Sequence, residues 1–451
     1  MVTTPRNTVT IPSSGVGPRP GSGRHPLRAE VLRGPGPWAG GAVLVVVGGV
    51  LAGSPASWQG DWAETVGRLH SAQLVALPLA AAAGCWQGGR ERRHRTEEVL
   101  ASAVRSPLAR FLASALPVAL WTAAGHLAVV ALALLATWPW APGGGPRLAS
   151  VPADTVALVA AVLVGHAVGR AVPSRLAAPL VAIAGYLALS LPIYANGGPA
   201  AALDPAFAPG GGDAVPVWWQ PAVLAVWTAG LAGAAVLACA AQRRATALLP
   251  LAAAAAAGAL LVQTGDGLWR TDPPARRQVC DTSVAPAVCV NARHPGLLPQ
   301  VGEALSGVTG KLEGVRNLPV RWEDRLGEPR RDEVQLPMLT PVGWSVVRGR
   351  LTDPRRYAWE AAMALTRGAE CDDPRLRVAG DAVLHHLAPH PKEAYFDGLD
   401  ARGTAERRHD LERRLAARAR LESLGEEERR DWLSAYFGAV ARCDPAGLPV
   451  L

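Results

Sequence analysis

Cysteines and histidines are the residues of this chain best placed to do chemistry, and their spacing sorts them. Cys280, Cys289, Cys371 and Cys443 all follow residue 264. Four cysteines in an extracytoplasmic domain suggest two disulfides. Three connectivities are possible. The expected one pairs Cys280 with Cys289 around Pro286, and Cys371 with Cys443 at the end of the last helix. The C-x8-C spacing lacks the tight pair of a zinc knuckle, so no metal is expected there. His385, His386 and His390 resemble a metal cluster, but no Glu follows the first histidine and Pro389 breaks a shared helical face. The chain contains no G-x-S-x-G nucleophile elbow. Gly307–Lys311 approaches a phosphate loop, yet Leu305 stands at the first glycine and Leu312 replaces the magnesium-binding hydroxyl. The chain is therefore not expected to be an enzyme, and no cofactor is expected.

The elements that must carry these residues fall into two unlike halves. Residues 264–451 hold 28 Lys/Arg and 28 Asp/Glu, about 30% charged. The first 263 residues hold 17 Lys/Arg and 9 Asp/Glu, about 10%. The first half is too apolar for an ordinary soluble domain, and the second too charged for lipid. The whole +8 net charge lies in the apolar half, dispersed among its segments. That pattern suits a membrane protein better than a nucleic-acid binder, and no nucleic-acid partner is expected.

Seven apolar stretches are long enough to cross roughly 30 Å of hydrocarbon, near 38–53, 72–86, 111–138, 155–172, 176–194, 218–240 and 246–263. Seven is the expected count, with six or eight open. Trp38, Trp86, Trp138, Trp140, Trp218 and Trp219 mark ends at headgroup depth. The tail before the first span and the second, fourth and sixth connections carry 15 arginines; the alternate connections carry Arg68 and Arg147. This asymmetry puts the N-terminus in the cytoplasm, and an odd span count puts 264–451 outside. The small residues at 53–56 could end a signal peptide, but so long a leader, with further spans behind it, points to a retained first span. Cys85 and Cys239, in or beside spans, behave as small apolar residues. His126 and His166 are the two histidines expected at membrane depth. They are candidates for a transport path, although a hydrogen bond to a neighbouring helix is the commoner role.

The second connection, 89–108, is the most informative. Thr96 starts a short helix with Glu97 and Glu98 behind it; Val99, Leu100 and Ala103 share an apolar face, and Pro107 stops it. Such a helix either docks into a soluble partner's groove or lies on the surface as a linker. Arg24-His25-Pro26-Leu27-Arg28 running to Arg33, with Gly-Arg-Glu-Arg-Arg and Glu-Glu-Val-Leu-Ala-Ser after the second span, resembles actinobacterial ABC-2-type transporter permeases. The resemblance covers about residues 25–263 and rests on segment order and loop character. It implies an elbow helix at 25–34 and a coupling helix at 96–104, on which Thr96, Glu97, Glu98, Val99, Leu100 and Ala103 receive the stroke of a separate cytoplasmic ABC ATPase subunit. It also implies a homodimer or pseudo-dimer of permease subunits in the lipid bilayer. A seventh span and a large C-terminal domain depart from the family's usual six-span core.

The expected fold is thus a polytopic α-helical membrane protein of about seven transmembrane helices, followed by a mainly α extracytoplasmic C-terminal domain with a few possible short strands. Residues 1–24 form a disordered cytoplasmic tail, 25–263 the permease domain and 264–451 the globular domain. Helical patterns there run near 297–313, 357–367, 377–387, 407–424 and 426–442, with short strands within 320–349 and a solvated, ion-paired face over 405–430. The cysteine-framed tail, ending 431–437 and 442–444, looks like the C-terminal region of some permeases of the same group. Two functions follow as expectations. One is a plasma-membrane permease subunit exporting a lipid-like, peptide or polymer cargo. The other is a membrane-anchored extracytoplasmic sensor or enzyme.

Overall fold

A computed structural model describes residues 34–93, 106–141, 145–172, 174–194, 198–209, 214–325, 327–339, 345–366 and 373–450. The tail 1–24, the elbow region 25–33, the coupling-type helix 96–104 and Cys371 lie outside these residues.

The apolar half folds into helices α1 (Gly36–Ala52), α2 (Trp62–Ser71), α3 (Gln73–Gly88), α4 (Pro107–Thr137), α5 (Ser150–Ala171), α6 (Ala177–Tyr194), α7 (Gln220–Ala240) and α8 (Leu248–Thr264). Among the described residues, six stretches are long and apolar enough to cross a membrane: Trp62–Gly88, Pro107–Thr137, Ser150–Ala171, Ala177–Tyr194, Gln220–Ala240 and Arg244–Leu268. Gly36–Ala52 is apolar but shorter. Local chemistry fixes several starts. Asp61 accepts from the Ala63 N–H at the head of α2, and Ser106 caps α4 ahead of Pro107, where a missing N–H costs nothing. The second apolar stretch departs from expectation: α2 runs into α3, so the helical column begins ten residues before the expected start at 72.

Lipid supplies no hydrophobic drive between helices, so close packing must hold them together. Glycines on α3 and α5 let the two backbones touch. A Cβ added at Gly84 or Gly88 would strike the carbonyls of Val162 and His166, and one at Gly165 or Gly169 those of Ala81 and Cys85. Both pairs are G-x-x-x-G spacings, a signal present in the sequence. Gly40 on α1 meets Trp121 on α4, and Gly125 meets the Gly40 carbonyl, in the same way. Around this seam α6 lies on α3, while α7 lies on α5 and α8.

The second half opens with strands that return to the bundle. β1 (Ala214–Pro216), in the connection before α7, pairs antiparallel with β2 (Trp269–Thr271) just after α8. A four-stranded sheet follows in the order β3 (Gln278–Asp281), β4 (Ala287–Asn291), β5 (Arg321–Glu323), β6 (Glu333–Gln335). The β3–β4 hairpin is antiparallel and the other two pairings are parallel. Helix α9 (Leu298–Lys311) makes the crossover from β4 to β5 that parallel strands require. A small hairpin, β7 (Val346–Val347) and β8 (Arg350–Leu351), precedes α10 (Pro354–Thr366), α11 (Pro374–Leu387), α12 (Glu393–Ala401), α13 (Ala405–Ser423) and α14 (Glu426–Arg442). The core is built from large side chains: Trp322, Tyr357, Tyr436, Leu297, Leu305 and Leu312 are all fully buried.

Cys280 and Cys289 face each other in register across β3 and β4 and are bonded, as expected. Cys443 is also disulfide-bonded. Two expectations need correction. The β3–β4 hairpin and α12 were not anticipated. The stretch 405–430 is only partly a solvated face, because Arg418 is buried, held by Asp381, Asp397 and Glu393 from α11 and α12. Arg414 beside it binds Asp400 at 2.6 Å.

Candidate functional site

Polar side chains buried among the apolar helices mark the candidate site, because an unpaired polar group in such surroundings costs several kcal/mol. They begin at the end of the bundle that faces the second half. Asp61 is buried where Arg293 reaches it at 3.1 Å and His294 at 3.4 Å, with Glu64 at 4.0 Å from the same arginine. Asp61 thus does two jobs, capping α2 and receiving the domain. Arg348 on the β7–β8 turn donates to Gln59 at 2.8 Å and lies over the Trp140 ring. Arg147 pairs with Asp272. The first, third and fifth connections therefore all touch residues 264–451.

One helix leads inward from this seam. On α2, the Thr65 hydroxyl lies 2.8 Å from that of Thr137 at the end of α4. One turn further, His70 places Nδ1 2.9 Å from the Asp154 carboxylate on α5 and Nε2 3.2 Å from the Phe207 carbonyl. The Phe207 carbonyl can only accept, so Nε2 carries its N–H toward it, and Nδ1 faces the carboxylate. Asp204 sits nearby, accepting from the Ala206 N–H at 2.8 Å with one oxygen. Its other oxygen has no partner among the described residues. Burial pushes the Asp204 carboxyl up to about 6, against the opposing pull of the Ala206 N–H and His70.

Deeper still, Gln73 on α3 meets His126 on α4, Nε2 to Nδ1 at 3.5 Å. His126 lies eleven residues from the end of α4, about 17 Å at 1.5 Å per residue. Gln73 Oε1, His126 Nε2 and the Thr122 hydroxyl one turn away lack partners among the described residues. Together they offer an acceptor, a ring nitrogen and a hydroxyl to a polar guest or water. A second layer lies about 18 Å further along α4. There His166 on α5 binds the Ser114 hydroxyl at 3.0 Å, edge-on to Phe111, and Gln87 donates to the Ser114 carbonyl at 3.4 Å. The two expected histidines are both buried, but in separate layers and on separate partners. His70, Asp154 and Asp204 were missed. Asp154 falls one residue before the expected start of its span, and His70 lies in a stretch read as a connection. An acid and a histidine at the edges of apolar runs were the available signal.

The remaining candidates in the C-terminal domain are occupied. Lys311, the lysine of the imperfect phosphate loop, ends α9 and donates to the His386 and Leu387 carbonyls that finish α11. His385 binds Glu393 at 2.7 Å, and His390 packs edge-to-face on Trp359. Glu323 and Glu333 could suggest paired acids, but Arg321 and Arg325 bind both. Burial resists ionisation of Glu333, yet bonds from Arg321 and the Arg330 N–H outweigh it and hold its carboxyl near 2. Among the described residues no three His, Cys, Asp or Glu side chains are gathered as metal ligands. The domain does have an open cleft of about 690 Å³ between α9, α10 and residues 388–391.

Comparison of the chain with protein families, curated proteins and solved structures returns no match.

Proposed function

We propose that this chain is the integral membrane permease subunit of an ABC transporter, exporting a lipid-like, peptide or polymer cargo with a separate cytoplasmic ATPase. The observation that carries the reading is the buried polar column on α2, α3, α4 and α5. An anchor needs one apolar helix. This chain interlocks several and retains costly polar groups between them, as a route for polar cargo requires. The contacts support a seven-span arrangement. Connections one, three and five meet the C-terminal half, while the arginine-rich connections two, four and six belong to the other end. With the arginines in the cytoplasm, the C-terminal domain and its disulfides lie outside. The resemblance at 24–33 and 89–108 supplies the motor contact, on a helix from Thr96 to Ala103, and a dimer of permease subunits. A membrane-anchored sensor is the second reading, favoured by the cleft in the outer domain.

Affinity capture of the tagged protein from its native membranes separates the two. A nucleotide-binding subunit co-purifies with the wild type and is lost when Val99→Asp and Leu100→Asp are combined. Repeated capture without such a subunit contradicts the permease reading.

A further inference from the structure

The cleft in the outer domain has a chemistry of its own. Helix α9 contributes Gln300, Glu303 and Ala304, spaced i, i+3 and i+4 on one face. The start of α10 contributes Pro354, Arg355 and Ala358, and residues 388–391 close the far side. At about 690 Å³ the space suits a ligand of a few hundred daltons.

Its polar groups narrow the ligand class. Gln300 is already engaged at both ends, donating to the Gly349 carbonyl at 3.2 Å and accepting from the Leu351 N–H at 3.0 Å. His390 accepts from the Lys392 N–H and packs against Trp359 and Phe396. The Glu303 carboxylate and the Arg355 guanidinium share the cleft, and neither side chain has a hydrogen bond or ion pair among the described residues. One free carboxylate and one free guanidinium leave the cleft without net charge, which disfavours a nucleotide or another polyanion. A single carboxylate is too few for a hard cation. A sugar would need several free hydrogen-bonding side chains, and among the described residues the cleft adds to these two only the second ring nitrogen of His390. Pro354, Pro389 and Pro391 offer no N–H donors, and Ala304, Leu351, Ala358 and Ala388 complete an apolar wall. Exposed Tyr395 and Phe396 extend that wall past His390. The complementary ligand is dipolar at its ends and apolar between them.

We propose that this cleft binds a short apolar peptide with free termini, its ammonium group held by Glu303 and its carboxylate by Arg355. The site lies close to the docking seam. Gln300 holds Gly349, which packs against Gly60 next to Asp61. The proposal does not depend on the transport reading, since binding needs neither the ATPase nor an intact membrane.

The test is calorimetric titration of the purified full-length protein with the tripeptide Ala-Leu-Ala. Saturable binding at one site per chain is expected. It weakens about tenfold in Glu303→Gln and in Arg355→Gln, as befits loss of one charge-assisted bond, and about a hundredfold when the tripeptide is both acetylated and amidated. Both side chains are exposed, so neither variant threatens the fold. Absence of saturable binding up to about 10 mM peptide, or equal binding by wild type and both variants, overturns the proposal.

Discussion

The two halves of this molecule are held together by opposite means. In the bundle, helices meet where side chains are absent: Gly84, Gly88, Gly165 and Gly169 bring α3 and α5 into backbone contact. In the C-terminal domain, elements meet where side chains are largest, with Trp322, Tyr357 and Tyr436 filling the space between sheet and helices. Buried polar groups follow the same division. In the domain a buried charge is fully paired, as Arg418 is with three carboxylates. The bundle keeps a few isolated pairs and leaves Gln73 Oε1, Thr122 Oγ1 and His126 Nε2 unmatched among the described residues.

Substitutions of opposite kinds sharpen the contrast. The largest effects come from removing bulk in the domain and a charge partner in the bundle. Trp322→Ala should destabilise the outer domain by about 3–5 kcal/mol, read as protease sensitivity confined to residues 264–451. Asp154→Ala leaves the buried His70 ring without its carboxylate partner and should cost about 3–5 kcal/mol, read as a lower Tm in detergent that Asp154→Asn restores only in part. A smaller loss is expected from added bulk at the helix seam. Gly165→Ala drives a methyl into the Ala81 carbonyl and should cost about 1–3 kcal/mol. The same change at Gly307, an exposed position on α9 with open space around it, should stabilise by about 0.5–1 kcal/mol. Equal responses at the two glycines would break the comparison.

The halves should also differ in the sign of their pH dependence. His386 is held down at about 4 by burial and by the Lys311 and Arg429 cations. The unfolded chain binds its proton first, so the stability it contributes is complete above the ordinary 6.5 and is lost as pH falls toward 4. Asp204 runs the other way. Its raised carboxyl contributes stability that is complete below the ordinary 3.8 and lost as pH rises through about 6. His386→Gln should flatten the acid side of the Tm–pH curve. Asp204→Asn should raise Tm relative to wild type above pH 6 and not below pH 4. An Asn variant with a pH-independent difference would show that Asp204 takes up its proton equally readily in the folded and unfolded chain.

What was legible in the sequence follows from the range of the interactions. The apolar segments were visible because hydrocarbon thickness dictates their length locally, and the Cys280–Cys289 pair because only nine residues separate them. The helices of the outer domain showed their periodicity, with ends shifted by a few residues. Hidden were partnerships across long separations. His70 finds Asp154 84 positions away, and Arg293 finds Asp61 across 232. No local pattern announces such pairs. Helix α12 is nine residues long without a side-chain cap, too short to display a period. The burial of Arg418 and half-burial of Arg414 were concealed because an arginine-rich helix face looks the same whether it meets water or carboxylates from α11 and α12.

The seam at Asp61, Arg147 and β1 makes one demand above the rest: the second half must share a side with connections one, three and five, opposite the arginine-rich ends. Labelling of intact cells with a membrane-impermeant maleimide tests this directly, using Glu427→Cys on α14 and Arg243→Cys in the sixth connection, both exposed positions. The account predicts that Glu427→Cys is labelled in intact cells and Arg243→Cys only after permeabilisation. Labelling of both under the same condition, or in the reverse order, would contradict it.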